Sequence, residues 1–195
     1  MARKKMKSSH STLPESVGKP LKCQGLLKDH PNETCRFTDA DVNVISEFFP
    51  ESAEFRPYDP NACSDSVSDE WVCFPATPFL LGFCYPFPDL TEQLFACTGI
   101  SFVQAMPMVW RVLSVIEEAL ASHPLEFSIS ELSYLYNLVT HGSSRFVLKS
   151  KIGRALPVLK TKRNDQKWKG QFFFVKRSTI PGGKRLPTKW VSKGI

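Results

Sequence analysis

Cys23, His30 and Cys35 stand at the spacing Cys-x6-His-x4-Cys. Thiolates and imidazoles at short intervals are zinc ligands, and a zinc knuckle has the pattern Cys-x2-Cys-x4-His-x4-Cys. The second cysteine of that pattern is missing here, and Leu26 stands near its place. Three ligands do not close a structural tetrahedral site, and a fourth from Cys63 or His10 would have to come across a flexible distance. No metal site and no cofactor are therefore assigned. A Cys–His nucleophile would need the two side chains within hydrogen-bond reach. His123 and His141 fall at expected helix ends, where a cation complements the helix dipole without any chemistry.

Carboxylates are plentiful between residues 36 and 144, which hold fifteen Asp/Glu against three Lys/Arg. Their spacing does not fit the reactions that use paired carboxylates. An aspartic protease needs an Asp-Thr/Ser-Gly loop so that two carboxyls share a proton, and neither tripeptide occurs. A polymerase holds two magnesium ions on paired carboxylates, and no Tyr-x-Asp-Asp is present. The acids follow helix caps and loops instead. No catalytic residue is assigned, and the chain is read as a non-enzyme.

Cations dominate the other end. Residues 145–195 hold fifteen Lys/Arg and one Asp/Glu, and residues 1–35 hold seven Lys/Arg and three Asp/Glu. Such a basic segment attracts polyanions, or else the acidic middle of its own chain. Lys149, Lys151, Arg154, Lys160, Lys162, Arg163, Lys167, Lys169, Lys176 and Arg177 alternate with Phe146, Trp168 and Phe172. Cations neutralise phosphates, and exposed aromatic faces such as Trp168 can stack on unpaired bases. The expected partner is RNA or DNA, bound without sequence preference. Pro181-Gly182-Gly183-Lys184 lacks the four residues between glycines that a phosphate loop requires. Lys184-Arg185 and Arg3-Lys4-Lys5 also fit short import signals. Trp110 and Arg111 form a second candidate site, because Trp and Arg dominate interface energetics. The other reading of that pair is a core aromatic beside an arginine that pairs with the acidic middle.

The elements that must position these residues are mostly helical. Residues 1–37 are polar and basic and read as a disordered leader. Thr38 and Asp41 have capping-box spacing, and Val42, Ile45 and Phe49 follow on one helical face until Pro50. Residues 71–87 are aromatic and broken by prolines, and read as irregular chain with one helical turn near 77–83. A helix capped by Asp89, with Leu90, Leu94 and Cys97 inward, ends at Gly99. The longest helix, about 104–122, has Pro107 in its first turn and a stripe of Met108, Val112, Val115, Ile116, Ala119 and Leu120. Ser128 and Glu131 open the next, with Leu132, Leu135, Leu138 and Val139 buried and His141-Gly142 closing it. Strands are expected at 155–160 and 171–177, and a short apolar–basic run at 145–152. Residues 178–195 read as a disordered basic tail. The six cysteines are read as free thiols.

Five of these stretches, taken in order, resemble the gypsy-type transposon domain of plant proteins. They are Phe48-Phe49-Pro50, Tyr85-Pro86-Phe87-Pro88, Leu94-Phe95-Ala96-Cys97-Thr98-Gly99-Ile100, Pro107-Met108-Val109-Trp110-Arg111 and Trp168-Lys169-Gly170-Gln171-Phe172-Phe173-Phe174-Val175. The resemblance covers about residues 38–177. It implies a retrotransposon-derived, gag-like origin and carries over no catalytic residue. Two departures from the family pattern are the absence of its long, often coiled-coil continuation and of a Ser-rich lead-in before Trp168. Both fit a truncated or decayed copy.

The fold expected is mainly α within an α+β class: a helical domain over 38–177, closed by a small antiparallel β-sheet near 145–177, with disordered basic termini. The function expected is a non-enzymatic gag-like protein with weak nucleic-acid affinity in its basic C-terminal part. The alternatives are a protein-interaction module, through a partner or self-association on the acidic helical body, or a degenerate fragment. No run of eighteen apolar residues and no secretory h-region occurs, so no membrane partner is expected. The location expected is intracellular, with nucleus and cytoplasm both open.

Overall fold

Fifteen phenylalanines in 195 residues need a place out of water, and most of those described meet in one core. The computed structural model describes residues 35–56, 59, 69–123, 126–142, 145–151, 168 and 170–187. Five helices and two two-stranded antiparallel sheets appear among them. The helices are α1 (Asp39–Ser46), α2 (Thr77–Leu80), α3 (Asp89–Thr98), α4 (Pro107–Ser122) and α5 (Ile129–Leu135). The strands are β1 (Trp71–Pro75), β2 (Tyr136–His141), β3 (Arg145–Ser150) and β4 (Phe172–Lys176).

Local signals set several of these boundaries. The Thr38 hydroxyl accepts from the Asp41 N–H, and the Asp41 carboxylate accepts from the Thr38 N–H at 2.8 Å, so a full capping box starts α1. Ser128 and Glu131 do the same for α5. Each box satisfies donors that the first turn leaves without intrahelical partners. Gly99 ends α3 in the left-handed region at φ 67°, which glycine enters without steric cost.

Sheet and helix interleave, so the fold is mixed α+β rather than helices followed by one closing sheet. The first sheet joins distant segments: β1 pairs with β4, from Trp71 opposite Lys176 to Pro75 opposite Phe172. Residues 71–75, expected to be irregular, form a strand because Pro75 falls at its last position, where a missing donor is tolerated. Segment 54–56 lines the other edge of β4, through Lys176 N–H to Glu54 O at 2.8 Å and Arg56 N–H to Phe174 O at 3.0 Å. With a neighbour on each edge, β4 buries Phe172, Phe173, Phe174 and Val175 on both faces.

The second sheet is a hairpin of β2 and β3, running from Tyr136 opposite Ser150 to His141 opposite Arg145. Residues 136–141 were expected to continue the helix now ended at Leu135. Leucines at 132, 135 and 138 match a helical period, but Tyr136, Val139 and Thr140 favour a pleated strand. Tyr136 is buried, while Leu138 and Val139 are half-buried against β3. The expected strand at 155–160 lies outside the described residues.

Two helical faces are rotated from expectation. On α4 the buried residues are Pro107, Val109, Trp110, Val112, Leu113 and Ile116, while Ala119 is exposed. On α3 Phe95 turns inward and Cys97 outward, and Pro88 rather than Asp89 precedes the first turn. Aromatic volume decides both: Phe95 stacks on Trp110 at 5.0 Å between ring centroids, and burying these rings outweighs smaller side chains. The ends of the folded unit reach further than read. Cys35 and Phe37 are core residues of the supposed leader. Residues 178–187 of the supposed tail carry two short 3₁₀ turns, Arg177–Thr179 and Gly183–Arg185, and bury Ile180. No helix among the described residues is long and apolar enough to cross a membrane.

Candidate nucleic-acid interface

The expected interface combined cations with stacking aromatics, and its described members are largely engaged within the fold. Lys176 Nζ donates to a Glu54 carboxylate oxygen at 2.8 Å. Arg177 donates from Nη1 to the Lys184 carbonyl at 3.3 Å. Lys151 is half-buried, with Nζ donating to the Ser133 carbonyl. Lys149 is exposed on β3. Arg154, Lys160, Lys162, Arg163, Lys167 and Lys169 lie outside the described residues.

Two of the three aromatics interleaved with these cations are buried. Phe146 is 2% exposed and Phe172 4% exposed, so neither offers a face to a base. Trp168 is half-buried, and the Arg145 guanidinium sits 4.8 Å over its ring centroid. Arg145 itself is buried, with Nη1 donating to the Val103 carbonyl. The pair thus ties β3 to the segment that leads into β4. The partner-binding reading of Trp110 is overturned in the same way: its side chain is fully buried, against Phe83, Phe87, Phe95 and Phe102. The residues that follow Pro107 are helical and amphipathic, and the widest ring falls on the inner face. Arg111, next in sequence, is half-buried.

The described cations that do gather are Arg177, an expected interface residue, and two from the expected tail. Lys184 and Arg185 are exposed on the second 3₁₀ turn, and with Arg177 they line an open cavity of about 320 Å³. Ser178, Ile180, Gly182 and Gly183 complete its wall. The Pro-Gly-Gly turn ahead of Lys184-Arg185 was the available signal, since it folds the two cations back toward Arg177.

The zinc candidate is disfavoured at its one described ligand. Cys35 is buried, its Sγ donates to the Phe172 carbonyl at 3.1 Å, and burial pushes the thiol up to about 11. Among the described residues no group of three His, Cys, Asp or Glu is placed to hold a metal. Cys35, Cys73, Cys84 and Cys97 are free thiols.

No family model, curated protein or solved structure matches this chain. The chemistry of its ionisable groups is therefore read from geometry. Burial pushes the Glu117 carboxyl above its usual value of 4.5, with Asp89 adding to the rise and two hydrogen bonds from Thr91 opposing it. A carboxyl raised in the folded state favours folding most below its unfolded value, and that contribution is lost as pH rises through the folded value. Glu117→Gln keeps an acceptor for Thr91 and removes the ionisation. Urea midpoints of the variant, relative to the parent, should rise as pH goes from below 4.5 to neutral. A constant difference across that range would show that folding does not shift the group.

Proposed function

We propose that the chain is a non-enzymatic, retrotransposon-derived protein of gag-like type that binds nucleic acid non-specifically through its basic C-terminal part. The observation that carries the binding is the charge of residues 145–195, fifteen Lys/Arg against one Asp/Glu. Lys149, Lys184 and Arg185 stand exposed within it. Binding runs through phosphates and not through base stacking, because the described aromatic residues of this segment are buried or engaged. The kinship rests on the ordered aromatic motifs. Phe49, Tyr85, Phe87, Phe95, Trp110 and Phe173 from those motifs converge in one core, so the motifs specify a packed body and not a reaction.

Truncation is a poor test, since β3 and β4 are part of the fold. A full-length variant with Arg154, Lys160, Lys162, Arg163, Lys167 and Lys169 all changed to Gln keeps every described element. The parent should bind single-stranded RNA and duplex DNA at low salt. On duplex DNA, log affinity falls with log salt by about 0.9 per phosphate neutralised. The variant should therefore lose up to about 5 from the duplex slope. No binding by the parent at low salt, or an unchanged slope in the variant, overturns the reading and favours a protein-interaction role for the acidic body.

A further inference from the structure

The cavity at the C-terminal end of β4 has the makings of a discrete anion site. Arg177, Lys184 and Arg185 line it, and no Asp or Glu does. The Arg177 guanidinium is tied to the Lys184 carbonyl by Nη1, while its Nε and Nη2 are closed to solvent and lack a hydrogen-bond partner. That charge is poorly compensated by water, and its field is correspondingly strong at short range. Glu92 on α3 feels Arg185; burial raises its carboxyl, Asp89 adds to the rise and Arg185 opposes it. The cavity wall is shaped by close packing. Gly182 takes φ 65°, and a Cβ on Gly183 would come 2.1 Å from the Arg177 carbonyl oxygen. Tyr85 anchors the turn by donating to the Pro181 carbonyl.

We propose that this cavity binds a terminal phosphate, the dianionic group of a phosphomonoester. Three cations in one concave wall exceed what the single charge of a backbone phosphodiester would call for, and a phosphomonoester carries close to two negative charges at neutral pH. The volume of about 320 Å³ is roughly ten times a water molecule's share of the liquid. It admits a phosphate together with part of the group esterified to it, as in a nucleoside monophosphate. Arginine and lysine donors to phosphate form charge-assisted hydrogen bonds.

Inorganic phosphate and uridine monophosphate, titrated separately into the full-length protein, serve as probes, with backbone amide shifts as the readout. Both should give saturable shifts confined to residues 177–185. Tighter binding of the nucleotide would show that the cavity accepts an ester, and equal binding that it holds the phosphate alone. Lys184→Gln with Arg185→Gln alters only exposed side chains and should weaken binding about tenfold or more. Gly183→Ala leaves all three charges and should weaken it as strongly by displacing the wall. Arg177→Gln tests the buried cation. Absence of saturable shifts, or full binding by Gly183→Ala, overturns the site. The six-residue Gln variant described above keeps this cavity and should bind phosphate like the parent, so failure of the nucleic-acid reading and failure of this one are told apart.

Discussion

Phe74→Ala is expected to lower folding stability by about 3–5 kcal/mol, the usual cost of emptying a buried phenylalanine site. Phe74 is fully buried on β1. Its ring lies 5.0 Å from Phe102 and 6.0 Å from Phe173, both stacked, and 5.3 Å from Phe49 edge-on. Tyr85, Phe79 and Phe87 surround the remainder. Those partners come from four other stretches of chain, so no single segment can move in to fill the space. A domain of ordinary stability has about 5–15 kcal/mol in total, and the variant should lose a large share of it. Urea denaturation followed by near-ultraviolet circular dichroism measures both the loss and the weakened aromatic packing. Tyr134→Ala is the control, because Tyr134 is 58% exposed and surface changes usually stay within about 0.5 kcal/mol. Equal effects from the two would contradict the aromatic core.

What could be read from the sequence is what short spacings determine. Both capping boxes, the helix end at Gly99 and the strand expected at 171–177 are local patterns, and the structure has them there. β1 was not legible, because its stability comes from pairing with β4 about a hundred residues on, and Pro75 with the prolines that follow it argues against a strand when taken alone. The end of α5 was misread because a leucine period and β-favouring residues overlap at 135–139. The candidate interface was legible as a charge total and much less so as a set of side chains. Lys176 and Glu54 are 122 residues apart, and no local pattern tells that one neutralises the other. Trp110 admits both an interface anchor and a core aromatic, and the convergence of Phe83, Phe87, Phe95 and Phe102 on it decides for the core. Lys184 and Arg185 read as a short basic signal in a tail, because nothing local shows that Ile180 beside them is buried.

Arg145→Ala is expected to cost about 2.5–5 kcal/mol, the second large effect, although Arg145 belongs to the segment whose charge suits nucleic acid. Two losses combine. The Val103 carbonyl loses a charged donor in a buried setting, worth about 1.5–3 kcal/mol. The cation over Trp168 is also lost, worth about 1–2 kcal/mol where water is excluded. The cleft that Arg145 shares with Pro75, Val103, Trp168, Gly170, Gln171 and Phe172 has only about 10 Å³ of free volume, so the side chain is closely packed there. Arg145→Lys should recover part of the loss, since an ammonium keeps the charge and not the planar fork that reaches carbonyl and ring together. Trp168→Ala removes the ring contact alone and should cost about 1–2 kcal/mol. A double-mutant cycle between Arg145 and Trp168, read by urea denaturation, should give a coupling of about 0.5–2 kcal/mol. The same variants decide which role Trp168 has. Loss of stability with an unchanged affinity for single-stranded RNA makes it a brace between β3 and β4. Loss of RNA affinity with unchanged stability makes it a stacking platform, against the position that the guanidinium of Arg145 occupies over its ring.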